Sequence, residues 1–197
     1  MANKPLGGKQ EILNAAARVF ARKGFDATSV DEIAAKAKLA KGTIYYHFKT
    51  KDEIFITLIE QGIVSFTQLL HQKIQPLQTP SQQLHAFVST QLDFFSKYQD
   101  FCRVLIIEMW RLETHWQRQF QILKKQYAPL VENILESGKK TGEFYSTVDS
   151  RVVGTLLFNA IAFTSIEWSL LHPKDSSKTM EQQVINFLSR GIIKQEE

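Results

Sequence analysis

The stretch TSVDEIAAKAKLAKGTIYYHF, from Thr28 to Phe48, decides how the whole chain is read. Thr28 with Asp31, and Ser29 with Glu32, both have the spacing of a capping box, in which a hydroxyl accepts a backbone N–H and the acid three residues on reaches back. Val30, Ile33, Ala34 and Ala37 then line one face of a short helix. Lys38-Leu39-Ala40 leaves room only for a tight turn. Ile44 and Phe48, four apart, anchor a second short helix into a small core. That arrangement leaves Lys41, Thr43, Tyr45, Tyr46 and His47 outside, with Gly42 permitting close backbone approach.

Working outward, Ile12, Ala16, Val19 and Phe20 recur at helical spacing and Gly24 is a stop, which predicts a first helix from about Gly8 to Lys23. Downstream, Thr50 and Glu53 form another capping box that opens a long helix through Ile54, Leu58 and Leu69. Two short helices joined by a tight turn, the second with an outward polar and aromatic face, describe a helix-turn-helix that reads DNA. Lys41 and Lys51 offer phosphate contacts, and Thr43 suits a base edge or a thymine methyl. Tyr45, Tyr46 and His47 bring hydroxyl and ring N–H donors. Each feature has a plain structural alternative, because helix pairs, exposed tyrosines and surface histidines are common; the ordered combination carries the reading.

Charge agrees. Residues 1–50 hold nine Lys and Arg against four acids, a net of +5, while the other 147 residues are at −1. A basic module on a near-neutral body points to a polyanionic partner for that module.

The segment from Glu11 to Ile54 resembles the DNA-binding domain of the TetR family of bacterial regulators. The resemblance is carried by Ile12-Leu13-x-Ala15-Ala16, Phe20-x-x-x-Gly24-Phe25, Thr28-Ser29-Val30-x-x-Ile33-Ala34-x-x-Ala37, Lys41-Gly42-Thr43-Ile44-Tyr45-x-His47-Phe48 and Lys51-Asp52-Glu53. It departs from the family pattern at Lys38, where a Gly is expected, and at Ala40, usually a Ser. Lys38 must then adopt the turn conformation itself. Ala40 cannot cap the second helix, which costs about 1 kcal/mol relative to Ser. The resemblance implies an all-α chain: a three-helix DNA-binding domain over residues 1–50 and a helical ligand-binding and dimerisation domain over 51–197. Thr28 joins Lys41, Gly42, Thr43, Tyr45, Tyr46, His47 and Lys51 in the implied DNA-binding set.

Periodicity supports a helical body independently. Pro76 and Pro80 mark a break after the long helix, and helical patterns resume over Ser81–Tyr98, Phe101–Glu113 and His115–Ser137, the last expected to kink or divide at Pro129. Gly138 and Gly142 frame a turn, Asp149 caps a helix through Leu171, and Met180–Ile193 forms the last. The resemblance implies homodimers paired through the last two helices, for which Leu157, Phe158, Ile161, Ile185, Leu188 and Ile192 are the candidate seam. Leu156, Phe163, Val184 and Phe187 of the same two helices are further candidates for that seam. The resemblance also implies a small-molecule effector in the body, apolar or amphipathic, for which Phe94, Phe95, Leu105, Glu108, Met109, Trp110, Trp116, Phe120 and Tyr127 are candidates. An aromatic stripe is equally what an ordinary core looks like. Glu108 is set within Val104–Trp110, where an unpaired buried carboxylate is costly, so it pairs with a ligand or a basic neighbour, or reaches solvent.

No His, Cys or acidic cluster has metal-ligand spacing, no nucleotide-binding glycine loop or nucleophile elbow occurs, and no cofactor or catalysis is expected. Cys102 is the single cysteine, the N-terminus lacks an apolar leader, and the uncharged run Val152–Ile166 falls short of about 20 apolar residues, so a cytoplasmic chain without a membrane span is expected. Two other readings stay open: a dimeric DNA-binding protein without an effector, which a body without a cavity would favour, and an enzyme using the helical body, which a perturbed acid–base pair in a cleft would favour.

Overall fold

The structure is a computed structural model that describes residues 8–109, 117–171 and 177–193. Among these the chain is all-α, as expected: α1 (Gly8–Lys23), α2 (Val30–Ala37), α3 (Lys41–His47), α4 (Lys51–Ile74), α5 (Pro80–Lys97), α6 (Gln99–Met109), α7 (Gln117–Thr141), α8 (Ser150–Leu171) and α9 (Ser177–Ile192). Residues 1–63 with 100–120 form one unit, and residues 64–99 with 121–197 another.

In the first unit, α1, α2 and α3 pack against one another. Of the two possible capping boxes, Ser29 and Glu32 make the real one: Ser29 Oγ accepts from Glu32 N at 3.2 Å while Ser29 N donates to the Glu32 carboxylate at 3.0 Å. α2 ends at Lys38, which adopts the left-handed conformation at φ 58°, and the N–H of Leu39 donates to Ala34 O at 3.0 Å. For a side chain with a Cβ that conformation costs about 1 kcal/mol. Ala40 is extended and supplies no side-chain cap to α3. Ile12, Ile33, Ile44 and Phe48 are buried together with an aromatic triad, Phe20, Phe25 and Phe55, whose ring centroids lie 5.0 to 5.6 Å apart.

In the second unit, α5 packs against α8 and α9. Thr79 caps α5, accepting from Gln82 N, and Pro80 occupies the first helical position, where its missing N–H would be unpaired anyway. α7 is not divided at Pro129; it runs unbroken from Gln117 to Thr141. The proline is exposed while Tyr127, Val131, Ile134 and Leu135 are buried, so the packed face holds the helix through the one missing hydrogen bond. Gly138 is inside α7 rather than in a turn. A Cβ there would sit 2.1 Å from the Phe144 ring, so the glycine admits a fully buried phenylalanine onto the helix. Asp149 caps α8 by accepting from Arg151 N and Val152 N at 3.0 and 3.2 Å.

Lys38→Gly and Ala40→Ser are each expected to raise stability by about 0.5–1 kcal/mol, the first by relieving the left-handed lysine and the second by capping α3. Urea unfolding checks both, as an increased midpoint with an unchanged slope.

Candidate nucleic-acid interface and effector body

α3 is seven residues long and buries only Ile44, with Phe48 just beyond it buried as well. Apart from Lys41, the outward side chains are uncharged or aromatic. Tyr46 is 85% exposed and Tyr45 48%, while Gly42 is open and Thr43 half-buried. His47 is half-buried too. Its ring lies edge-on to Tyr46 at 5.0 Å, and its Nε2 would be 3.1 Å from a Cβ on Gly8, so it leans on the start of α1. Lys41, the one cation on this helix, holds the Asp31 carboxylate at 2.7 and 2.9 Å, which raises its pKa and makes a phosphate compete with that acid. Thr28 is buried, and its hydroxyl donates to Gly24 O at 2.7 Å; the side chain serves the α1–α2 loop and has no free donor for DNA.

Lys51 also faces inward. Its ammonium donates to the carbonyls of Phe25, Asp26 and Thr28 at 2.8, 3.2 and 2.9 Å and lies 4.4 Å from the Phe25 ring centroid. Three N–H groups on three carbonyls exhaust its donors. The Phe25 N–H, on the other side of the same residue, donates to Glu108 Oε1 at 3.3 Å. Glu108 is 4% exposed, and this bond gives the carboxylate a structural partner in the loop that leads to α2.

Of the other effector candidates, Leu105 is buried and Phe120 partly exposed in the first unit. Trp110 and Trp116 lie outside the described residues, as does the side chain of Met109. Phe94, Phe95 and Tyr127 come together in the second unit around Phe66, Phe87 and Phe158, with Phe66–Phe94 at 4.8 Å, Phe87–Tyr127 at 5.2 Å and Tyr127–Phe158 at 4.9 Å. Within this aromatic cluster the Tyr127 hydroxyl donates to Gln91 Oε1 at 2.8 Å, and burial pushes the phenol pKa well up. Gln91 is completely buried.

The candidate dimer residues fall on two sides of their helices. Leu157, Phe158, Ile161 and Ile192 are buried within the protomer, Ile185 is half-buried, and the side chain of Leu188 lies outside the described residues. Of the other seam candidates, Leu156 and Phe163 are exposed on α8 together with Val152, Leu170 and Leu171, and Phe187 of α9 is 78% exposed. Leu156 and Phe187 line a groove of about 980 Å³ between α8 and α9. Both faces of α8 are apolar, so hydropathy alone could not say which faced the core.

Sequence reading passed over Phe66, Phe87 and Gln91. The signal for Gln91 was its place at an apolar-face position of α5, between Val88 and Phe94.

Residues 12–58 match the bacterial regulatory proteins of the tetR family, and residues 77–192 match the tetracyclin repressor-like C-terminal domain. The chain is 25% identical over 182 residues to the fatty acid metabolism regulator protein of Bacillus subtilis (strain 168), covering 92% of this chain and 94% of that one. It is 24% identical over 191 residues to the HTH-type transcriptional repressor KstR2 of Rhodococcus jostii (strain RHA1), covering 94% and 91%. The crystal structure of the transcriptional regulator FadR from Bacillus subtilis in complex with stearoyl-CoA superposes with a TM-score of 0.80 at 25% identity, over 93% of this chain and 98% of that one.

Lys51→Met removes three donors from loop carbonyls and is expected to cost about 2 kcal/mol in chemical unfolding. The Glu32 carboxyl, held by the Lys23 ammonium and the Ser29 backbone N–H, is lowered from 4.5 to about 2. Its contribution is complete above pH 4.5 and is lost as pH falls through about 2. Carboxyl-carbon NMR titration is expected to show that low midpoint, moving up toward 4.5 in Lys23→Met.

Proposed function

The chain belongs to the tetR family of bacterial regulatory proteins, and from that membership we propose that it is a homodimeric transcriptional repressor whose operator is palindromic and whose effector is an acyl chain carried on a polar head group. The observation that carries the DNA half is the outward face of α3, where Thr43, Tyr45 and Tyr46 stand clear of a core formed by Ile44 and Phe48. Neutral donors and rings suit base edges in the major groove, which carry the sequence-specific pattern. In this reading residues 1–50 bind DNA and 51–197 bind the effector and the second subunit.

The effector class rests on two supports. One relative acts in fatty acid metabolism by name, and a structural neighbour of 25% identity holds stearoyl-CoA. The second is the aromatic cluster around Tyr127: its ring faces suit an acyl chain, and Tyr127 and Gln91 bring polar groups into their midst. A ligand that moves the dimer from 1:99 to 99:1 between its DNA-binding and released forms must prefer the released form by about 5.5 kcal/mol.

For the dimer, Leu156, Phe163 and Leu170 recur every seven residues along α8, the spacing of a helix-pairing seam, and Phe187 adds to the same apolar exposure. α4 and α8 also have the length and hydropathy of membrane spans. Thr155, Asn159 and Glu167 between the exposed apolar residues of α8 favour a partner helix over lipid. The relatives are transcriptional regulators, which supports a non-enzymatic role in the cytoplasm.

Selection of bound fragments from random duplex DNA, followed by titration of stearoyl-CoA against the recovered site, tests both halves. A palindromic consensus and ligand-driven release are expected. Fragments without a consensus sink the operator, and a complex indifferent to acyl-CoA sinks the effector. Tyr46→Ala is expected to weaken the recovered site roughly 10-fold or more while leaving random DNA unchanged. Leu156→Glu with Phe187→Glu is expected to run as a monomer in light scattering.

A further inference from the structure

The net positive charge of the N-terminal module is not on the helix that reads bases. Lys41 is engaged by Asp31, and Lys51 by three carbonyls. Three other cations converge elsewhere: Arg18 and Arg22 of α1 and Lys36 of α2 line a groove of about 380 Å³, with Val19 and Ala35 forming the rest of its walls alongside Glu32. No residue of α3 lines it. Arg18, Arg22 and Lys36 are exposed, and among the described residues no hydrogen bond or ion pair ties any of them to an acid. Glu32 does not offset them, because its carboxylate is already committed to Lys23 and to the cap of α2.

Such a cluster works against the fold. Arg18 and Arg22 are four apart on one helix, where like charges repel, and Lys36 adds a third positive charge across the groove. Guanidinium groups are forked donors matched to phosphate oxygens, and a concave basic surface on a small bundle concentrates its field toward a polyanion. The groove is part of the same three-helix bundle that presents α3, so a duplex held on α3 brings a continuous phosphate backbone to this module.

We propose that Arg18, Arg22 and Lys36 form a second, sequence-independent contact that holds the phosphate backbone of the duplex flanking the half-site read by α3. The proposal rests on the operator reading above. It divides labour within the module: α3 specifies with neutral side chains, and the α1–α2 groove supplies salt-sensitive affinity.

The test uses the full-length protein and the selected operator in two forms, one trimmed to the selected base pairs and one extended by about one and a half helical turns on each side. Wild type is expected to bind the extended duplex more tightly, with a slope of log K against log salt steeper by about 2 to 5. Arg18→Gln/Arg22→Gln/Lys36→Gln is expected to lose that advantage, weakening on the extended duplex roughly 10-fold while matching wild type on the trimmed one. Arg18→Lys/Arg22→Lys keeps the charge and is expected to retain most of the advantage; it also keeps the test open if the triple variant fails to fold. A charge-matched control, Lys124→Gln/Lys125→Gln/Lys140→Gln, is expected to leave both duplexes unaffected. Equal weakening on both duplexes would assign the cations to the half-site, and unchanged binding to both would assign the groove to another anionic partner; either overturns the proposal. Failure of wild type to bind even the trimmed duplex would instead overturn the operator reading.

Discussion

The Lys51 ammonium on the carbonyls of Phe25, Asp26 and Thr28 is the contact on which the N-terminal module depends. The segment between α1 and α2 is too short to form regular structure; Thr28 N–H donates to Phe25 O at 3.2 Å, and the remaining capacity of the loop carbonyls is open to a side-chain donor. A cation at the start of α4 satisfies three of them at once. Phe25 then places its ring against Phe20 and Phe55, and its N–H on Glu108 of α6. One residue thus ties the loop to α1, α4 and α6 through its carbonyl, its ring and its amide. The position of α2, and with it the tight turn into α3, follows from where that loop is pinned.

This arrangement explains why the outward face of α3 is free to be chemically specific. Its stability comes from Ile44 and Phe48 on the inward side and from the turn, where Lys38 takes a conformation that a glycine would adopt at lower cost. Tyr45, Tyr46 and Thr43 carry none of that burden. The cations that a DNA-binding module needs are correspondingly displaced to the α1–α2 groove or drawn into the fold, as Lys51 is.

The helical body solves a different problem. Five phenylalanine rings cluster around a buried Tyr–Gln pair on α5 and α7, a polar centre retained within an apolar surround. A buried amide and phenol cost little because the phenol donates to Gln91 Oε1 and the Gln91 amide N–H donates to Phe158 O at 3.4 Å. On the far side of the same unit's helices, α8 keeps a heptad-spaced apolar stripe uncovered. One helix therefore serves the protomer core with Leu157, Phe158 and Ile161, and leaves Leu156, Phe163 and Leu170 exposed.

The helix-turn-helix was legible in the sequence almost to the residue, because its signals are local. Capping boxes, four-residue spacings and a three-residue turn depend on neighbours in the chain, and α1, α2 and α3 begin and end where those signals place them. Reading was incomplete where a donor's partner lies elsewhere in the fold: Lys51 has the chemistry of a phosphate contact, and in this structure its ammonium is on loop carbonyls more than 20 residues back. Thr28 is a local case, its hydroxyl donating to Gly24 O four residues before it. Pro129 lacks an N–H, but the buried face of α7 carries the helix past it. Leu157 and Leu156 are the same residue type one position apart, and periodicity on an all-apolar helix cannot tell which of them faces the core. The sequence by itself determined the element types, the reading helix and the basic module. Tertiary packing alone decided which donors were already spent and which apolar face was left over, because both depend on contacts between residues far apart in the chain.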